Sequence, residues 1–307
     1  MKKRKKVILL AGPTASGKSK LAIKLARYYK GEIINADSMQ VYKEFSVLSS
    51  RPSKSDTKKI KHHLYGIFSV KKYFSTGEWL ILAKKKIKQC IKSNKTPILV
   101  GGTGLYFNAI TKGISKIPNI DSNLRNNIRN LHNKIGQKNF YEKLISIDPI
   151  SKNMISATDT QRTLRAYEVK MFTNKSIYEW ISNTKSDFLD FDIRKIFINI
   201  PKDKLLKNIF ERTKLMFEKK CIQEVKDFLK LRIDKSLSAN KIIGVREIEE
   251  YLQGSMSMDE VIDVVNIRTR QYAKRQFTWA RGHMKSWKMI YSSNSNDLLK
   301  KAINKIS

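Results

Sequence analysis

Negative charge is what this chain of 307 residues has least of: 27 Asp and Glu stand against 62 Lys and Arg, a formal charge of +35. An imbalance of that size suggests a polyanionic partner. Cysteine is nearly absent, and Cys90 and Cys221 are far apart with no metal-ligand spacing, which excludes a disulfide framework and a thiolate metal cluster and fits a reducing compartment. No apolar run approaches the length of a membrane span. The opening "MKKRKKVILLAGP" has the charged start of a signal peptide, but its apolar stretch stops at Gly12-Pro13, too soon for an export signal. With 13 Gly and 6 Pro there is no low-complexity linker, and no internal repeat is visible. A cytoplasmic protein is expected.

What is present is enough apolar sequence, 41%, to bury a sizeable core as one large domain with an insertion, or as two domains. Lysine is abundant alongside Asn and Ile, so a run such as Lys84-Lys85-Lys86 reads as a solvated helix face; arginine is the better witness of phosphate binding. "KVILLAG" leads into a glycine loop, and Leu21, Ala22, Leu25, Ala26 and Tyr29 then recur at helical spacing. "GEIINADS" reads as a second strand ending at Asp37, "KTPILVGGTG" as a third ending at Gly101-Gly102, and "DIRKIFINIP" and "SWKMIYSS" as two more. Strands separated by helical stretches predict an α/β fold with a parallel sheet flanked by helices. Polar, helix-like segments between Gly113 and about Arg194 predict an all-helical insertion, giving a core at 1–113 and 195–307 and an insertion at 114–194.

Gly12 to Ser19, "GPTASGKS", fits the phosphate-binding pattern G-x-x-x-x-G-K-[ST] between a strand and a helix. Backbone N–H groups there would wrap phosphate oxygens, Lys18 would neutralise them, and Ser19 would help hold Mg²⁺. An ATP-hydrolysing enzyme of this kind also needs a strand ending in Asp, but "ILVGGTG" ends in glycines. Asp37 is the other carboxylate at a strand end, and spacing leaves it as either a Mg²⁺ ligand or a general base. Leu205, Ile209, Arg212 and Met216 share a helical stripe, so Arg212 either snorkels at a rim or enters a charged pocket. Thr158 and Gln161 have capping-box spacing, which places Arg162 and Arg165 in the first turns of a helix; Ser257 and Glu260 do the same ahead of Arg268, Gln271 and Arg275. Basic residues interleaved with Gln, Tyr272 and Trp279 favour nucleic acid. His62-His63 has no carboxylate or Cys nearby in sequence and reads as structural.

The motifs "GPTASGKS", "DSMQVY", "HHL", "ILVGGTGLYF", "DTQRTLRAYEV", "IGVREI" and "RTRQYAKRQFTWAR" follow one another from residue 7 to about 292. In that order the chain resembles the tRNA dimethylallyltransferase (tRNA isopentenyltransferase) family, of bacterial type. The resemblance implies a P-loop NTPase-like core used to hold a pyrophosphate. It implies transfer of a dimethylallyl group from dimethylallyl diphosphate to the N6 amine of the adenosine 3′-adjacent to the anticodon. Gly12, Pro13, Thr14, Ala15, Ser16, Gly17, Lys18 and Ser19 would hold the diphosphate, with Ser19 serving Mg²⁺. Asp37 would take the amine proton, and Thr103 and Arg212 would contact donor phosphate or the reacting adenosine. Contacts to the tRNA anticodon stem-loop would come from Asp37, Ser38, Met39, Gln40, Thr103, Arg125, Gln161, Arg162, Thr163, Leu164, Arg165 and Arg246. Arg268, Arg275 and Gln276 would support the channel or the tRNA backbone. A monomer that binds no membrane is expected.

The chain departs from the family at Val245, where an aromatic is usual, and at "SSRPSKSDTKKIKHHL", where Lys61 stands in place of a common Pro. Two other functions share part of the pattern. A small-molecule or nucleotide kinase would need the P-loop but not the charge of +35, and a prenyltransferase of free adenine nucleotides would not need the Arg-bearing insertion.

Overall fold

The computed structural model describes residues 4–292 and 294–307. Among these, six strands form one sheet: β1 (Lys6–Ala11), β2 (Gly31–Asn35), β3 (His62–His63), β4 (Thr96–Gly101), β5 (Asp192–Asn199) and β6 (Lys288–Tyr291). Their order is β3-β2-β4-β1-β5-β6, and every neighbouring pair is parallel. Parallel pairing requires helical crossovers that cover both faces, which is why the central strands are apolar runs without alternation. Val7, Ile8, Leu9 and Leu10 are all fully buried.

Between the first strands lie α1 (Lys18–Tyr28), α2 (Lys54–Lys59) and α3 (Thr76–Lys92), with α4 (Gly104–Thr111) after β4. After β5 come α8 (Lys202–Glu218), α9 (Cys221–Lys230), α10 (Val245–Leu252) and α11 (Met258–His283), and α12 (Ser295–Ile306) follows β6. Leu21 and Leu25 of α1, Ile209 of α8 and Ala302 of α12 share a core with Ile8, Ile98 and Ile198 of the sheet. A second core joins Val41 and Phe45, beyond β2, to Val225, Phe228, Ile248 and Val261 of the helices after α8. Val245 is in that second core and 3% exposed, so it packs inward.

Several boundaries differ from the sequence reading. β2 stops at Asn35 rather than Asp37, because the Asn35 side chain captures the Asp37 backbone and turns the chain. β4 ends at Gly101. β5 starts at Asp192, the first residue of "DIRKIFINIP" as read, so the strand begins within the 114–194 stretch; its first residues are half-exposed, with Arg194 paired to Asp192 at 2.7 Å. β3 was not foreseen, since two residues carry no periodicity. The fold also brings to His63 the carboxylate and thiol that its sequence neighbourhood lacks. His63 Nε2 lies 2.6 Å from Glu32, and the Cys90 thiol donates to the same carboxylate at 3.5 Å. Burial beside that carboxylate pushes the Cys90 thiol up to about 12, so it stays protonated and closes the trio with hydrogen bonds at the sheet edge.

The chain divides into two compact units, Thr111–Asp187 being the smaller. Within it α5 (Ser122–Ile147), α6 (Thr160–Thr173) and α7 (Ile177–Ser182) enclose Ile128, Phe140, Leu144, Ala166 and Tyr167. Gly136, with φ of 77°, breaks α5 in two at a conformation that L side chains avoid. The residue capping α6 is Asp159 rather than Thr158: its carboxylate accepts the Arg162 N–H at 3.1 Å, and Thr158 bonds Ser156 instead. The Ser257–Glu260 capping box forms as read. No described helix is long and apolar enough to cross a membrane.

Phe140 is fully buried in the smaller unit, so Phe140→Ala should cost about 3–5 kcal/mol there. Hydrogen exchange should show lost protection in α5 and α6 with α1 unchanged; uniform loss in all helices would contradict separate cores.

Candidate active site

Three loops converge because β1, β4 and β2 are neighbours in a parallel sheet and all end at one edge. The loop after β1 runs from Gly12 to Gly17 and opens α1 at Lys18. It turns through two left-handed residues, Ala15 at φ 62° and Gly17 at φ 84°. Glycine accepts this freely, whereas alanine stores about 1–2 kcal/mol of strain. The loop is held from outside: Asn208 of α8 donates to the Ala15 carbonyl at 3.0 Å, and Gln276 of α11 accepts the Thr14 N–H at 2.8 Å.

Inside the loop, the Ser16 hydroxyl is buried without a protein partner. An orphaned donor beside the N-terminus of α1 fits an anionic oxygen. Lys18 Nζ donates to the Pro13 carbonyl at 3.2 Å. Burial lowers its pKa to about 8; the Asp37 carboxylate opposes that shift and Arg212 adds to it. Arg212 is therefore the pocket arginine of the two readings, not a rim residue. Its Nε is buried with no hydrogen-bond partner, and burial draws its pKa down against the field of Asp37.

Asp37 sits in a turn built by Asn35, which is fully buried. Asn35 accepts the Asp37 N–H at 2.9 Å and donates to the carbonyls of Asp37 and Leu64 at 2.9 and 3.1 Å. One Asp37 carboxylate oxygen accepts the Met39 N–H at 3.0 Å. Thr103 closes the turn from β4: its Oγ1 accepts the Ser38 N–H at 2.9 Å, and its own N–H reaches the Ala36 carbonyl. The Gln40 amide ties the following loop to the carbonyls of Ser49 and Ser50. Ser38, Met39 and Gln40 all stay partly exposed.

The glycines of "GGTG" are slots for other segments. A Cβ on Gly101 would lie 1.9 Å from the Ala36 carbonyl, one on Gly102 would lie 2.1 Å from the Gln276 amide, and one on Gly104 would strike the Trp279 ring. Around Asp37 stand Tyr65, Tyr106 and Tyr272, whose phenols are pushed up first by burial and then by the Asp37 charge. Tyr106 stacks on Trp79 at 4.0 Å, and the Trp79 indole donates to the Asn35 carbonyl. The walls are thus neutral and aromatic.

The other arginines are placed differently. Arg268 pairs with Glu247, which is 1% exposed, Arg246 pairs with Glu250 on the surface, and Arg275 lies over the Tyr272 ring. In the smaller unit, Arg125 and Arg165 both lean on the buried carboxylate of Glu168, at 3.8 and 3.3 Å. Gln161 and Arg162 are exposed, whereas Thr163 is fully enclosed and Leu164 packs on that unit's core. Ser19 is exposed in the first turn of α1.

The IPP transferase family model matches residues 40–283. The tRNA dimethylallyltransferase of Pelagibacter ubique is 51% identical over 94% of this chain and 92% of its own. This chain belongs to the IPP transferase family. A Rickettsia felis tRNA dimethylallyltransferase is 42% identical over 96% of both chains. Among solved structures, the tRNA delta(2)-isopentenylpyrophosphate transferase of Staphylococcus epidermidis aligns with TM-score 0.69 and 27% identity over 99% of each chain. A eukaryotic dimethylallyltransferase described as acting on tRNA aligns with TM-score 0.85 and 25% identity, over 98% of this chain and 77% of that one.

Within this IPP transferase, the stretch with Lys61 in place of a Pro forms α2, capped by a Ser53–Asp56 box. Asn35, Asn208 and Glu168 escaped the sequence reading as holders of the site loops and arginines; Gln276, expected to support the channel or the tRNA backbone, bonds the Thr14 N–H and the Gly102 carbonyl. Asn35 and Glu168 each left a signal, a polar residue inside an otherwise apolar run. Asn35→Ala removes the partners of three backbone groups and should lower unfolding free energy by about 1–3 kcal/mol in urea titrations. An unchanged midpoint would mean that water replaces the amide.

Proposed function

We propose that this IPP transferase moves a dimethylallyl group from dimethylallyl diphosphate to the N6 amine of the tRNA adenosine on the 3′ side of the anticodon. One observation carries the reading: the Asp37 carboxylate shares the field of Lys18 and Arg212 beside a loop whose Ser16 hydroxyl has no protein partner. The adenine amine is a weak nucleophile because its lone pair is delocalised into the ring, so it needs a base as the new bond forms. Nitrogen attacks the allylic carbon, the C–O bond breaks with its electron pair leaving on diphosphate, and the amine proton passes to Asp37. Negative charge grows on the departing oxygens, where Lys18, Ser16 and the N–H groups opening α1 stabilise it.

The neutral phenols of Tyr65, Tyr106 and Tyr272 shield the cationic dimethylallyl group from water. The exposed Ser19 hydroxyl, with diphosphate oxygens, would offer an all-oxygen donor set of the kind Mg²⁺ takes, and the ion would add charge neutralisation at the leaving group. Gln161, Arg162, Arg125 and Arg165 supply contacts for the RNA backbone, in keeping with the overall charge of +35. A kinase reading is less well supported. The β4 exit where such an enzyme would keep its acid is instead glycine, filled by Ala36 and Gln276.

The test incubates the protein with unmodified tRNA, Mg²⁺ and either dimethylallyl diphosphate or ATP, followed by mass analysis of digested nucleosides. Prenylated adenosine is expected from the first mixture; ATP consumption without it would sink the proposal. Asp37→Asn should lower single-turnover prenylation at least about a hundredfold while tRNA affinity changes little, since the amide keeps shape but accepts no proton. Equal losses in both would mark Asp37 as structural. A diphosphate favours charged Lys18, whose pKa in the free protein is about 8. Donor affinity is therefore full below that pH and falls above it, by at most about tenfold per unit. Lys18→Arg should flatten the donor KM between roughly pH 7 and 9; a wild-type KM that is already flat would overturn the assignment.

A further inference from the structure

We infer that Gln276 is a positioning residue for prenyl transfer, its amide setting the separation between the diphosphate loop and the turn that carries Thr103 and Asp37. The inference rests on the reaction proposed above. Gln276 is 9% exposed on α11, and its two amide atoms are used in opposite directions. Oε1 accepts the Thr14 N–H at 2.8 Å, while Nε2 donates to the Gly102 carbonyl at 3.1 Å. Those backbone groups belong to the loops after β1 and β4, adjacent strands whose mutual ladder has already ended at Ala11 and Gly101. Beyond that point the amide takes the place of the next ladder bond. A Cβ at Gly102 would come within 2.1 Å of Nε2, so the loop is shaped around this side chain.

The consequence is transmitted in one residue. From Gly102 the chain passes to Thr103, which holds Ala36 through its N–H and Ser38 through its hydroxyl on either side of Asp37. Any change in Gly102 relative to Thr14 therefore moves the base relative to the leaving group. Displacements near 1 Å between reacting groups cost on the order of a hundredfold in rate. The amide bonds backbone on both sides, and the titratable group that faces it is the Tyr272 phenol one turn back on α11, which burial keeps protonated through the neutral range, so the role of the amide is geometric. Trp279, three residues further along α11, packs independently against Gly104, so the helix keeps its own anchor when Gln276 is shortened.

A glutamate at this position separates geometry from mere packing. Protonated, it offers the same one donor and one acceptor as the amide; ionised, it offers two acceptors and is repelled by the Gly102 carbonyl. The full-length protein, Gln276→Ala and Gln276→Glu are compared in steady-state prenylation of tRNA. Gln276→Ala should lose roughly ten- to a hundredfold in kcat with the tRNA KM within about twofold. Gln276→Glu should match that deficit near pH 8.5 and recover at least about fivefold, relative to wild type at each pH, on going to about pH 6. The Ala variant's ratio to wild type should stay flat. Wild-type prenylation with Gln276→Ala turnover within about twofold, or a Glu-to-wild-type ratio that ignores pH, would overturn the inference. Should circular dichroism show the Ala variant unfolded, the Glu ratio decides alone. No prenylation by the wild type would instead defeat the reaction itself and the inference with it.

Discussion

A carboxylate, an ammonium and a guanidinium lie near one another beyond the sheet, and the two cations are tolerable there because of the carboxylate. Burial alone drives Lys18 and Arg212 towards their neutral forms; the field of Asp37 opposes that. Two cations facing one anion leave a local excess of positive charge in a poorly solvated place. The proposed diphosphate is the kind of group that would complete such a set. The rest of the core is arranged to keep those three side chains at fixed positions.

Parallel strand order does the coarse placement, and backbone-to-side-chain hydrogen bonds do the fine. Asn35, Thr103, Asn208 and Gln276 are uncharged, and each bonds backbone groups that the sheet ladder no longer reaches. Glycines 101, 102 and 104 make room for Ala36, Gln276 and Trp279 to approach. The absence of an acid at this strand end is thereby physical: the space that a carboxylate would need is occupied by neighbouring segments.

The smaller unit solves a different problem. Arginines proposed to meet an RNA backbone must be exposed, yet long side chains lose entropy when they are held. Glu168, buried at the base of Arg125 and Arg165, holds both in place without burying them. The exposed Arg162, paired to its own cap Asp159 at 3.4 Å, is left freer. On α11 the same device recurs: Arg268 leans on the buried carboxylate of Glu247 and stays partly exposed.

Local order was legible from residue order. The apolar runs of β1, β4 and β5, the phosphate loop, the Ser257 cap and the candidacy of Asp37 all depend on neighbours within a few positions, where periodicity and turn chemistry act. The short β3 and the Asp159 cap were missed, the one too brief for periodicity and the other one residue away from the spacing rule. What sequence could not decide were pairings between distant segments. Whether Arg212 turned outward or into the pocket depended on where α8 lies against the loop after β1; whether His63 met a carboxylate depended on its pairing with β2. The role of Gln276 needed α11 laid across two strand exits, 174 and 262 residues away in the chain. Sequence determined which chemistry was available, because side-chain type and local spacing are written in it. Only the tertiary structure decided which groups share one electric field, because that field falls off over ångströms in space and takes no account of separation along the chain.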